Sequence, residues 1–136
     1  MKFGALSDLH GILPEITEEC DIYLICGDIT PLKMQRNIPQ SKKWLSHEFA
    51  QWVKDLPCEK VFMVGGNHDF ALASIYQNTL SKNSLLYTPT DGKLVMLDNE
   101  SYTYIDYKDE PNTQFGELHI ARYLEIGHIC MRRKLL

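Results

Sequence analysis

Lys60-Val61-Phe62-Met63-Val64-Gly65-Gly66-Asn67-His68-Asp69 is the stretch on which the fold turns. Its first half is a short apolar run, the pattern of a strand covered on both faces. Its second half sets an amide oxygen, an imidazole and a carboxylate side by side where that strand must end. Two earlier stretches repeat the design. Lys2 to Leu6 runs into Ser7-Asp8-Leu9-His10, and Asp21 to Cys26 runs into Gly27-Asp28. Oxygen and nitrogen donors at successive strand ends are what a site for hard or borderline metal ions needs.

Between these strands the hydrophobic period changes. Leu45, Phe49, Trp52, Val53 and Leu56 recur at three- and four-residue steps, which predicts an amphipathic helix from Ser41 to Leu56 with Ser41 as its N-cap and Pro57 as its stop. Leu13, Ile16 and the glutamates at 15, 18 and 19 suit a brief helical turn opening at Pro14. A second helix is expected over Ala71 to Leu80, with Leu72, Ile75, Tyr76 and Leu80 on one side. After Asn83 the texture reads as strand and turn: Leu94 to Leu97 and Tyr102 to Ile105 flank the turn Asp98-Asn99-Glu100, and Gly116 to Ile120 follows. Alternation of strand and helix in the first part predicts an α/β fold whose first sheet is mainly parallel. In such sheets ligands bind beyond the carboxyl ends of the strands, where the three donor groups fall.

The chain has 136 residues, 44% hydrophobic and 24% charged, which suits one soluble globular domain. A net charge of -4 gives no sign of specific nucleic-acid binding. No apolar stretch is long enough to span a membrane, and Ser7-Asp8 arrives too early for a signal peptide, so the cytoplasm is the expected location. Cys20, Cys26, Cys58 and Cys130 lack the C-x-x-C spacing of a zinc or redox motif and read as buried, reduced thiols.

Asp8 and His10, one residue apart, can point at one ion from an extended turn. Asp28 has two oxygens and can bridge two cations, and Asn67 adds an oxygen without charge. Taken singly each has a structural alternative: Asp8 can cap a turn, Asp28 can start one, Asn67 can hold a left-handed position, and His68 can be a surface imidazole. Their order, each after an apolar strand, favours the metal reading.

The set Asp8-x-His10, Gly27-Asp28 and Gly66-Asn67-His68-Asp69 closely resembles the calcineurin-like metallophosphoesterase family, in a compact branch, from Met1 to about Ile120. The resemblance implies a four-layer α-β-β-α sandwich with a dinuclear metal centre, of which this chain would hold the N-terminal half. It implies that Asp8 and His10 bind the first metal, Asp28 bridges, and Asn67 binds the second. His68 would serve the leaving group and Asp69 would orient its ring. The implied reaction is hydrolysis of a phosphate ester by a metal-activated hydroxide attacking phosphorus. Two divalent ions are implied, Mn first, with Fe, Zn, Ni or Mg also compatible.

The chain departs from that pattern downstream. The family carries a further histidine motif and a Gly-His-x-His motif, whereas beyond Asp69 only His119 and His128 occur here. The second metal shell is therefore expected to be incomplete and turnover impaired. The alternative is a catalytically silent remnant or a weak metal-binding or interaction module. Residues 121–136 read as an atypical tail, and shifted codons there permit a family-like aromatic segment. That suggests a frameshift or small deletion near Ile120, with an exposed apolar sheet face or edge open to self-association.

Overall fold

Four strands form one parallel sheet in chain order: β1 (Phe3–Leu6), β2 (Ile22–Cys26), β3 (Lys60–Val64) and β4 (Leu94–Met96). This computed structural model describes residues 1–76, 78–97, 101–106, 116–123 and 128–135, the last three stretches by their backbone. The apolar runs become β2 and β3 because both their faces are covered: Ile22, Ile25, Val61, Phe62, Met63 and Val64 have 0% exposure. The two-residue strand period divides them. Tyr23, Ile25, Val61 and Met63 pack with the helices, whereas Ile22, Leu24, Phe62, Val64 and Leu97 form a second cluster. An open apolar face is therefore not found among the described residues. β1 is an edge strand, with Phe3 37% exposed.

A separate antiparallel sheet holds β5 (Ser101–Asp106), β6 (Gly116–Tyr123) and β7 (His128–Leu135). Its ladders pair Ser101 with Ala121 and Gly116 with Leu135, and β7 lies near β2. The α/β class with a parallel first sheet is thus as expected. The 98–100 turn and the side chains of His119, His128 and Cys130 lie outside the described residues.

Helical structure departs from the sequence reading in four places. The long helix starts earlier, as α1 (Ile38–Trp44), capped by Asn37, whose side chain accepts from Gln40 N–H at 3.1 Å. Ser41 is no cap; it is buried and its hydroxyl donates to the Met34 carbonyl at 2.7 Å. A π-helical turn (Leu45–Phe49) leads into α2 (Ala50–Asp55). Its wider turn stacks Trp44 on Phe49, and Phe49 stacks in turn on Trp52. His47 is exposed on this helix, as its polar position predicts.

No helical turn forms after Pro14. Residues 12–17 are irregular because their polar groups serve other elements: the Pro14 carbonyl accepts from Trp52 Nε1 at 2.8 Å while Leu13 and Ile16 pack on the core. The expected second helix is split into α3 (Phe70–Ala73) and α4 (Thr79–Lys82), because Asn78 starts a new helix by accepting from Ser81 N–H. The split turns Leu80 outward, to 83% exposure, while Leu72 and Ile75 stay buried. Helical turns also continue where strand was expected, over Asn83–Tyr87 and Thr88–Thr90. Among the described residues no helix is long and apolar enough to cross a membrane.

Lys93 holds the end of α2. Its ammonium donates to the carbonyls of Lys54 and Leu56, satisfying groups that a helix terminus leaves open. Lys93→Met, which keeps the aliphatic stem, is expected to cost about 1 kcal/mol in urea unfolding. An unchanged midpoint would show that water replaces the ammonium without loss.

Candidate metal centre

Parallel pairing puts the carboxyl ends of β1, β2 and β3 at one edge of the sheet, so the loops that follow meet there. The first two loops extend the ladder beyond the strands. Asp8 N–H donates to the Gly27 carbonyl at 3.1 Å, His10 N–H to Asp28 at 2.9 Å, and Gly11 N–H to Ile29 at 2.8 Å. One donor atom from each of Asp8, His10 and Asp28 then lies within 4.8 Å of the others. These residues are far apart in sequence, and backbone hydrogen bonds bring them together.

The same three residues carry strain. Asp8, His10 and Asp28 have φ of 53°, 45° and 54°, a left-handed conformation that costs a non-glycine residue about 1–2 kcal/mol. The close approach of the loops explains the glycines. A Cβ on Gly66 would stand 2.1 Å from Asp28 Oδ1, and one on Gly27 would stand 2.8 Å from the Gly66 backbone. Only a bare backbone lets the loop after β3 rest against the Asp28 carboxylate.

Polar satisfaction around the cluster is nearly complete, with one exception. Asp28 Oδ1 accepts from His68 N–H at 2.9 Å, and the Ser7 hydroxyl donates to Asp8 Oδ2. His10 Nδ1 is buried without a partner. Leaving such an atom unpaired costs about 1–3 kcal/mol, and an imidazole gathered with two carboxylates suits a cation. The donor set of two carboxylates and an imidazole therefore fits a divalent metal. Cys26 closes β2 close by; burial, and then the Asp8 carboxylate, pushes its thiol above its ordinary range.

Asn67 lies exposed on the turn after β3, next to Gly66. His68 meets His10 edge to face, with ring centroids 5.7 Å apart. Its ring is held by Gln35, whose Oε1 lies 3.1 Å from Nδ1. Asp69 does not take the part of orienting that ring. Its Oδ1 accepts from Ile29 N–H, Thr30 N–H and the Thr30 hydroxyl, and its Oδ2 accepts from Gly66 N–H. Asp69 therefore ties the loop after β2 to the loop after β3, at 1% exposure.

Sequence reasoning missed Gln35 and Thr30. Thr30 follows Gly27-Asp28 closely enough to have drawn notice. Gln35 sits in a polar turn with no signature of its own.

A family model described as calcineurin-like phosphoesterase matches residues 1–134. No curated protein matches the chain.

Proposed function

This chain belongs to the calcineurin-like phosphoesterase family, and on that footing we propose that it hydrolyses phosphate esters at a centre of two divalent cations. The observation that carries the reading is the gathering of Asp8, His10 and Asp28, with one donor atom of each within 4.8 Å of the others. Divalent cations there would neutralise phosphate oxygens and lower the pKa of bound water. Asp8 and His10 would hold the first, Asp28 would bridge, and Asn67 would hold the second, Mn being first choice ahead of Fe, Zn, Ni or Mg. His68 would protonate or stabilise the departing alkoxide, and Asp69 would position it through the backbone by fixing the loop that carries it.

The second cation's shell is short of imidazole, since the chain holds only His119 and His128 beyond Asp69. We therefore propose slow turnover for these 136 residues. Free thiols at Cys20, Cys26 and Cys58 are consistent with a cytoplasmic setting, and the exposed edge at β1 with self-association. The test is to count Mn bound per chain while assaying bis(p-nitrophenyl) phosphate. Bound metal with turnover that a chelator abolishes supports the hydrolase. Two metals with fast turnover would remove the impairment, and no turnover with one metal or none would favour the silent remnant.

Gln35 acts here as a positioning residue. As an acceptor it holds the proton on His68 Nδ1 and leaves Nε2 for the substrate. A general acid contributes roughly 10²–10⁴-fold, so loosening its ring forfeits part of that. Gln35→Met is expected to lower kcat about tenfold on an alkyl phosphodiester, less on a p-nitrophenyl ester, with KM unchanged. Gln35→Glu, which keeps an acceptor, is expected to restore kcat. Equal losses on both esters would count against the assignment.

A further inference from the structure

At the end of the sheet opposite the metal cluster, β2 and β3 bring two thiols together. Their ladder begins where Ile22 pairs with Lys60, and Cys20 and Cys58 each lie two residues before those partners, outside the strands. The backbone agrees. Cys20 N–H donates to the Pro57 carbonyl at 3.1 Å, which holds the backbone at Cys20 against the peptide group that joins Pro57 to Cys58. Disulfides need Cα atoms roughly 4.4–6.8 Å apart, a span open to residues whose backbones are joined by such a bond.

The side chains share their surroundings as well. Both pack against the same core cluster, and both line an open pocket of about 450 Å³ beside Lys2, Glu19 and Glu59. Both are free and half-buried. The Glu18 carbonyl receives the Tyr23 hydroxyl at 3.0 Å and the Cys20 thiol at 3.9 Å. The Tyr23 hydroxyl is pushed up to about 12, first by burial and then by its hydrogen bond with Cys20, with Cys58 adding to the effect. Tyr23 thus lies within electrostatic reach of both thiols. A preformed cation site is not the better explanation, because among the described residues only Asp8, His10 and Asp28 gather closely enough to hold one.

We propose that Cys20 and Cys58 form a thiol-modification site, which a low-molecular-weight disulfide such as oxidised glutathione converts to a Cys20–Cys58 disulfide. One protein thiolate attacks the small disulfide, forming a mixed disulfide and releasing one small thiol. The second protein thiolate then displaces the other small thiol as the Cys20–Cys58 bond forms. Two protein thiols are oxidised, one small disulfide is reduced, and the two protons leave with its two thiol products. The bond joins the starts of β2 and β3 and leaves the loops at their ends untouched.

The test is to treat the reduced 136-residue chain with oxidised glutathione, digest it without reduction and map its disulfides by mass spectrometry. The expected product has lost two hydrogens and joins the Cys20 peptide to the Cys58 peptide. Cys58→Ser is expected to stop at a glutathione adduct on Cys20, and Cys20→Ser at an adduct on Cys58. Persistent adducts on the unsubstituted chain, a bond to Cys26 or Cys130 instead, or no reaction would overturn the proposal. So would stoichiometric protection of both thiols by Zn²⁺ alone. Mapping the unsubstituted chain decides the matter even if a variant fails to fold.

Discussion

Asp28→Asn is expected to leave the chain folded while removing its metal and its turnover. The folded state needs two things from Asp28: an oxygen that accepts from His68 N–H at 2.9 Å, and tolerance of a φ of 54°. Asparagine supplies both, since its amide oxygen accepts the same bond and it enters the left-handed region readily. What it loses is the negative charge. A metal clamp contributes several kcal/mol to the transition state, so losing about 4 kcal/mol corresponds to roughly a thousandfold in turnover. Without metal, the Asp8 and Asp28 donor atoms lie within 4.8 Å and repel each other. In chelator, Asp28→Asn should therefore melt no lower than the unsubstituted protein. Metal analysis, a phosphodiester assay and a melt in chelator together check this. Turnover with bound metal close to that of the unsubstituted chain would remove Asp28 from the ligand set.

The positions of β2 and β3 were legible because a strand buried on both faces has to be apolar throughout. β3 falls on Lys60–Val64 as read from its apolar run alone. The helix start was less legible, although Asn37-Ile38-Pro39 carries the cap and early proline that mark one. Ser41 attracted the assignment instead, and its hydroxyl serves a turn that only the folded chain creates. The region after Ala71 shows the same limit. Leu72, Ile75, Tyr76 and Leu80 keep a helical period on paper, but the new cap at Asn78 breaks the helix before Leu80. At the cluster of Asp8, His10 and Asp28, the types of donor were legible because each follows a strand. The unpartnered nitrogen of His10 was not, since burial and hydrogen bonding belong to the folded state. Asp69 was misread for a related reason. The family resemblance assigns it the His68 ring, whereas the groups that it accepts from lie mostly forty residues away.

That misreading leads to the other large expected effect. Asp69→Ala should unfold at markedly lower urea, by about 4 kcal/mol, and lose metal binding as a consequence. Asp69 is 1% exposed and accepts bonds of 2.9, 3.0 and 2.9 Å at one oxygen and 2.8 Å at the other. Alanine would leave the Ile29, Thr30 and Gly66 donors without their carboxylate in a site too enclosed for water to replace it easily. Asp69→Asn should fall between, at about 2 kcal/mol, because one of its two ends must present an NH₂ group to an N–H donor. A role confined to the His68 ring would give a different pattern, with turnover falling in both variants while the urea midpoint stayed fixed. The two cases separate on stability alone, before any substrate is known. The tie between the two loops is what keeps Gly66 against the Asp28 carboxylate. Loss of Asp69 should therefore reach the metal donors through the backbone, with metal binding and stability falling together.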